Sequence, residues 1–362
     1  MWSELDSAES LLSLRGLTVA YETDEGLVRA VNGLDLTVRR GETLGLVGET
    51  GAGKTTAALA VMGLLPARRA VVGGEIIFEG EDLLKLPEKR LRSIRGEQIS
   101  MVFQDPMTSL NPSLTVGAQI SEALEVHRAG LSARQAAART DELLALVGVQ
   151  PSRKNEYPHQ FSGGMRQRAV IAMALACEPK LLIADEPTTA LDVTIQAQVL
   201  ETIEEIQTRL KMAMILITHD LGVVARCCDS VAVMYFGETA EGGTAQDVYE
   251  GLTRHPYTDG LFGSIPDLEG EAKRLSPIRG LAPDPTALPE GCAFVPRCPL
   301  AREICRRRRP PAAALSSTHM VRCHLPELGP DLKPDLKPGE EPSGRPGGGW
   351  TERPSRRLDG RP

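Results

Sequence analysis

Apolar residues in this chain follow two rhythms. Short, nearly continuous apolar runs at 44–47, 181–184, 214–218 and 231–234 have the length and composition of strands buried on both faces, as a parallel sheet requires. Shorter strands are predicted at 14–21 and 33–38, separated by a turn. Longer amphipathic stretches alternate with these runs from residue 14 to about 249, which predicts an α/β sheet layered with helices. Between the strands that end at Phe103 and begin at Leu181 lies a mostly helical insertion. One of its helices is well marked: Ser132 and Gln135 form a capping box, Leu143, Leu144 and Val147 give the apolar face, and Gly148 ends it.

Past residue 254 the pattern gives way to a Pro-, Cys- and Arg-rich stretch. Past 325 it changes again, to Gly, Pro and charge, with a near-duplicate PDLKP at 330–334 and 334–338. That last segment has too few apolar residues to bury a core and is expected to be disordered. A chain of 362 residues, 41% hydrophobic and 25% charged, suits one large domain with an appendage. A net charge of −7 and 4% aromatic residues argue against nucleic acid as a partner. No run approaches the ~18 apolar residues a membrane helix needs, the longest being 169–177. The first ten residues carry three acidic groups and no apolar core, so no secretory leader is expected. The expectation is a cytoplasmic protein that reaches a membrane only through partner subunits, its seven cysteines reduced.

Three segments carry chemistry. Gly48, Glu49, Thr50, Gly51, Ala52, Gly53, Lys54 and Thr55 match G-x-x-x-x-G-K-[ST] in full, after a predicted strand and before a predicted helix at 56–62 that opens with Thr56. In that context glycines let backbone N–H groups converge on phosphates, the lysine reaches the terminal phosphates, and the threonine ligates Mg²⁺. The run 181–184 ends in Asp185 and Glu186, at the sheet edge where open α/β folds bind ligands. There Asp185 is placed to hold Mg²⁺ through water and Glu186 to act as general base, whereas alone the pair would read as a solvated acidic turn. Ser162, Gly163, Gly164 and Met165 precede a helix predicted over 170–177, with Ser162 a good N-cap and two glycines exposing N–H groups at a positive helix end. Alone, that segment is a capped helix after a loop; beside a phosphate loop it is a second anion site.

With these motifs in order the chain resembles the nucleotide-binding subunits of ABC transporters. The resemblance spans residues 11–250. It implies a P-loop NTPase (RecA-like) core with an antiparallel β subdomain and a helical subdomain at about 105–178, binding ATP with Mg²⁺ and hydrolysing it. In that family the signature of one subunit closes on the nucleotide of another, so Ser162, Gly163 and Gly164 would act in trans. Met165 stands where the usual signature has Gln, a departure at the position of a polar contact. Gln104 matches the loop that senses Mg²⁺ and couples to the membrane subunits, His219 the switch histidine, Ala190–Leu191–Asp192 the interface loop, and Tyr21 the aromatic that stacks on adenine.

The strings 103–112, 161–168 and 188–194, and His255–Pro256–Tyr257–Thr258 ahead of the cysteine-rich stretch, resemble the dipeptide, oligopeptide and nickel permease subfamily. That implies an importer at the cytoplasmic face of the inner membrane, with a second, non-identical ATPase, two permeases and an extracytoplasmic binding protein. Uptake of peptides is the leading expectation, with nickel or another small solute, or an ATPase uncoupled from transport, as alternatives. Residues 251–326 would be the subfamily's C-terminal extension and 327–362 a tail. Cys292, Cys298, Cys305 and Cys323 lack the C-x₂₋₄-C spacing of most zinc sites. Four thiolates suit an iron–sulfur cluster, and matching cysteines in similar importers can hold [4Fe–4S]; zinc or four free thiols are the alternatives. Cys177, Cys227 and Cys228 read as small buried hydrophobes, and Arg306–Arg309 as a solvated charge run.

Overall fold

The computed structural model describes residues 10–24, 26–105, 109–128, 130–188, 192–251, 253–264 and 277–328. Its frame is a sheet of eight strands around five parallel ones: β3 (Thr43–Val47), β6 (Ile99–Val102), β7 (Leu181–Asp185), β8 (Ala213–Thr218) and β9 (Ser230–Tyr235). Every residue of these five is buried, which is why they read as unbroken apolar runs. They lie in the order β9-β3-β8-β7-β6, with β3 paired in parallel to β8 and β9, and β7 to β8 and β6. The C-terminal ends of β3, β8, β7 and β6 therefore share one edge.

A second sheet is antiparallel: β1 (Ser10–Thr23), β2 (Gly26–Arg39), β4 (Ala70–Phe78) and β5 (Glu81–Asp82), ordered β2-β1-β4-β5. Bulges in β1 near Leu14–Leu17 and Val19–Ala20 curl it, and its apolar face covers α1 (Lys54–Val61) and one side of the large sheet in a single core. The strand expected at 14–21 lies within β1, and that at 33–38 within β2.

A helical layer holds a core of its own. Past the short α2 (Glu88–Ile94), helices α3 (Val116–His127), α4 (Ala133–Leu146) and α5 (Gly163–Ala174) bury Ile120, Leu124, Leu143, Leu144 and Ile171 with Val199 and Ile203 of α6 (Val193–Leu210). The capping box is present at Ser132 and Gln135, and Gly148 ends the turn at φ 72°. Helix α5 starts seven residues before the expected 170–177 helix: Ser162 caps it directly, so both glycines form its first turn.

The C-terminal segment is built into the frame. After α7 (Leu221–Cys227), β10 (Glu238–Thr244) folds back on β9, and α8 (Ala245–Glu250) and α9 (Pro256–Phe262) follow. Helix α10 (Glu303–Arg307) then leads to β11 (Ala312–Ala314) and β12 (Met320–Arg322), which extend the large sheet beyond β10. Arg306 and Arg307 pair with Glu303, but Arg309 is not simply solvated: it pairs with Glu238 and donates to the Asn32 carbonyl. Pro106, Met107, Thr108, Ala190, Leu191 and residues 329–362 lie outside the described residues.

The join is anchored by a buried carboxyl group. Glu241 on β10 is fully buried, with His319 Nε2 2.7 Å from one carboxylate oxygen and the His255 backbone N–H donating to the other at 2.8 Å. Removing one partner of a buried pair strands the other. His319→Ala is expected to lower the unfolding free energy by about 3 kcal/mol, measured by urea denaturation of the full chain; a loss under about 1 kcal/mol would mean the extension is not anchored there.

Candidate nucleotide site

The glycine loop leaves β3 through Val47 and must turn immediately under the neighbouring strands. Gly48 and Gly53 have φ of 154° and 99°, and a Cβ at either would run into the carbonyl oxygens of Met234 or Ala30. Only glycine permits that approach. Gly51, at φ 83°, forms the open crest, and the Gly237 N–H donating to the Ala52 carbonyl at 2.9 Å ties the loop to the β9–β10 turn. Helix α1 then begins at Lys54, with Thr55 and Thr56 in its first turn.

Lys54 lies under the loop, its Nζ donating to the Gly48 and Glu49 carbonyls at 2.6 and 3.0 Å. Burial pulls its ammonium below the usual lysine range, while Glu186, Asp185 and Glu49 pull the other way. At the end of β7, Asp185 is 2% exposed and its Oδ1 has no hydrogen-bond partner. Burial raises its carboxyl above the ordinary value, with the Thr55 hydroxyl and Lys54 opposing. An orphaned buried oxygen beside a threonine hydroxyl is the donor set that a hard cation such as Mg²⁺ takes.

Glu186 follows in left-handed backbone, φ 45°, strained for a residue with a Cβ. Its N–H donates to the Ile217 carbonyl of β8 at 2.8 Å. Each oxygen of its carboxylate has a neighbour: the Gln104 Nε2 donates to one at 2.9 Å, and His219 Nδ1 stands 3.4 Å from the other. Gln104 follows β6 and His219 follows β8, so sheet order brings the ends of three adjacent strands to one carboxylate.

Two other groups sit apart. Tyr21 lies late in β1 opposite Val28 and Ala70, half-buried against the core. Ser162, Gly163 and Gly164 belong to the helical layer rather than to this edge. The Ser162 hydroxyl accepts from the Met165 N–H at 3.4 Å, and a Cβ on Gly164 would meet Ile195 Cγ2 at 2.5 Å. Met165 is turned inward, its sulfur accepting from Arg153 at 3.0 Å, so it offers no replacement for the amide of the usual signature. Asp192 caps α6 through the Ile195 N–H at 3.0 Å.

Cys292, Cys298, Cys305 and Cys323 line one cavity with His255, His324 and Phe294. The cavity is small, about 20 Å³, room for about one water. Burial pushes Cys292, Cys298 and Cys323 each up to about 11. The thiols surround this space without closing on a point: among the described residues no three metal-binding side chains gather tightly enough to hold a single ion. Cys177, Cys227 and Cys228 are buried, as expected. Two residues of the extension with no site role assigned from the sequence, Arg297 and Tyr257 of the His255–Thr258 string, contact Glu49 of the glycine loop.

A glycine loop, a buried lysine and a carboxylate pair at the shared edge of a parallel sheet, with a β subdomain and a helical layer, define an ATP-binding cassette. Residues 31–189 match the ABC transporter family and 240–305 the oligopeptide/dipeptide transporter C-terminal region. The dipeptide transport ATP-binding protein DppD of Bacillus subtilis is 51% identical over 320 residues, covering 88% of this chain and 95% of that protein. The oligopeptide transport ATP-binding protein OppD of Salmonella typhimurium is 50% identical over 321 residues, again covering 88% and 95%. A solved ATP-binding cassette, a dimer in a post-hydrolysis state with ADP and Pi, superposes with a TM-score of 0.58 at 26% identity, covering 65% of this chain and 98% of that one. The chain belongs to the ABC transporter family, as an ATP-binding, ATP-hydrolysing subunit of the dipeptide/oligopeptide transporter branch. Among the described residues, no helix is long and apolar enough to cross a membrane.

The Asp185 carboxylate, with one buried oxygen left without a partner, bears on stability. With its carboxyl raised above the unfolded value, its charge costs stability at neutral pH, and that cost lifts as pH falls through the raised value. Asp185→Asn is expected to stabilise the nucleotide-free protein by about 1 kcal/mol at pH 7 while abolishing Mg²⁺-dependent hydrolysis. A thermal melt in EDTA checks it; a clearly destabilised variant would mean the carboxylate is well compensated.

Proposed function

We propose that this chain energises the uptake of peptides across a membrane by binding and hydrolysing ATP at the β3, β6, β7 and β8 strand ends. The observation that carries this reading is the Glu186 carboxylate, with Gln104 on one oxygen and His219 beside the other, next to a phosphate loop. Glu186 takes a proton from water as it attacks the terminal phosphate, and Gln104 and His219 hold the carboxylate so that its basic oxygen stays aimed. Lys54 leaves the loop carbonyls to meet the β- and γ-phosphates, and loop N–H groups among residues 50–55 donate to the remaining phosphate oxygens. Thr55, Asp185 and Gln104 would hold Mg²⁺, which neutralises charge developing on the phosphates. Tyr21 is the proposed adenine contact. Peptide as cargo is supported by the relatives named for dipeptide and oligopeptide transport and by the matching C-terminal region.

Completion of the site by a second cassette follows the same reading. Ser162, Gly163 and Gly164 stand on the helical layer with their N–H groups at the start of α5, a geometry suited to a phosphate from a facing subunit. A dimer assembled on ATP would draw the two helical layers together, and loss of the γ-phosphate would release them. Partners are then a second, non-identical ATPase, two permeases docked near Gln104 and an extracytoplasmic binding protein, which puts the chain on the inner face of the membrane. Residues 11–250 would form the cassette and 251–326 the extension.

For the cysteine cavity we propose a [4Fe–4S] cluster held by Cys292, Cys298, Cys305 and Cys323. Four thiols on one cavity support it. The cavity, with room for about one water, would have to widen to take it. Thiols held neutral by burial would lose their protons on binding.

Glu186→Gln is expected to slow ATP hydrolysis by about 10²–10⁴-fold with ATP affinity retained, measured by phosphate release and equilibrium binding; hydrolysis at the normal rate would remove Glu186 from its role. Anaerobically purified protein should absorb near about 400 nm and contain iron and sulfide. Colourless protein with stoichiometric zinc would overturn the cluster.

A further inference from the structure

Glu49 is an awkward residue for a phosphate-binding loop. It places a carboxylate beside backbone meant to receive a polyanion, and it lies near enough to Lys54 to act on its charge. The structure compensates this from the far end of the chain. Arg297, 248 residues away, meets Glu49 side-on with both prongs: Nη1 donates to Oε2 at 2.6 Å and Nη2 to Oε1 at 2.9 Å. The Arg297 side chain is 5% exposed and the Glu49 side chain 35%, so solvent reaches the pair from the carboxylate side while the guanidinium is held inside. Its plane is held as well: the Arg297 guanidinium sits 5.8 Å from the ring centre of Tyr235, and Tyr235 packs in turn against Tyr257 and Phe294 at 4.6 and 5.2 Å. The backbone of Glu49 is captured separately, its N–H donating to the Tyr257 hydroxyl at 2.8 Å. Side chain and main chain of one loop residue are thus fixed by two elements of the extension, α9 and the 292–298 loop.

We propose that Arg297 is a positioning residue for the nucleotide site, neutralising the Glu49 carboxylate and turning it out of the path of the phosphates so that the glycine loop stays shaped for them. A bidentate guanidinium–carboxylate pair fixes both charge and direction. Without Arg297 the carboxylate is uncompensated and free to rotate, and it can reach Lys54, the group proposed to meet the terminal phosphates. The effect would fall on binding: the clamp is the same before and during reaction, so the KM for ATP should change while kcat stays within about twofold.

The inference rests on the reading of residues 48–55 as the ATP site, and the experiment separates the two. Binding of the Mg²⁺ complex of a non-hydrolysable ATP analogue is titrated with the full chain, its folded state checked by thermal melting, for wild type, Lys54→Ala, Arg297→Met, Glu49→Gln and the double variant Arg297→Met/Glu49→Gln. Arg297→Met is expected to weaken binding about tenfold, and adding Glu49→Gln is expected to restore it to within about threefold of wild type, because the charge that Arg297 compensates is gone. A merely structural role would not show that rescue. Should Arg297→Met fail to fold, Arg297→Lys takes its place, with an expected loss of about threefold and the same rescue. If Arg297→Met or its substitute binds as wild type does, or if Glu49→Gln fails to restore affinity, the positioning role is overturned. If wild type does not bind the analogue, or Lys54→Ala binds as well, the site reading itself fails.

Discussion

A loop whose job is to offer bare backbone N–H groups to an anion must have no side chains in the way and yet be rigid. These demands pull against each other, because glycine, which clears the space, is also the residue that loses most freedom on ordering. This chain resolves them by wedging the loop against carbonyl oxygens of two other strands, so that Gly48 and Gly53 fit only without a Cβ. The wedge works because β9 and the start of β2 already stand where they do. Parallel pairing with β3 and antiparallel pairing with β10 hold β9, and pairing with β1 holds β2.

Sheet order does the next step. Because β3, β8, β7 and β6 are adjacent and parallel, residues far apart in sequence arrive at one edge: Lys54, Gln104, Asp185, Glu186 and His219. The edge carries costs that a purely structural fold would avoid. Asp185 keeps a buried oxygen unpartnered, and Glu186 keeps a left-handed backbone, held by one hydrogen bond to β8. Such costs collect where a ligand is to be met.

The parts legible in the sequence were those written in contiguous residues. The glycine loop, the runs that became β3, β7, β8 and β9, the Ser132 capping box and the Ser162 cap each depend on neighbours within a few positions. Strands β4 and β10 do not show in the sequence pattern because they carry Gly73–Gly74 and Gly242–Gly243, poor strand formers whose place is set by pairing with β1 and β9. The three-residue β11 and β12 are too short to show a period. Helix α5 was expected late because its apolar spacing starts after the polar stretch at 166–168, whereas its hydrogen bonds start at the cap. The Arg297–Glu49 pair had no local signature at all: nothing marks an arginine between two cysteines as the partner of a residue in a loop 248 positions earlier.

The same fact bears on why an ATPase cassette would carry a cysteine-lined extension next to its nucleotide loop. An appendage joined by a mobile linker could be lost without reaching the site. This one adds β12 to the core sheet, buries Glu241 with His319, and grips Glu49 from a segment bounded by Cys292 and Cys298. Cys292 is also tied to Cys305 through its N–H, at 2.7 Å, so a backbone hydrogen bond joins the cavity wall to the loop that presents Arg297. If Arg297 positions Glu49 as proposed, a group that ordered the four thiols would bear on the guanidinium and, through it, on the phosphate loop. The C-terminal segment therefore touches the glycine loop directly, through Tyr257 and Arg297 on Glu49, and a change in its packing has a short path to the loop's shape.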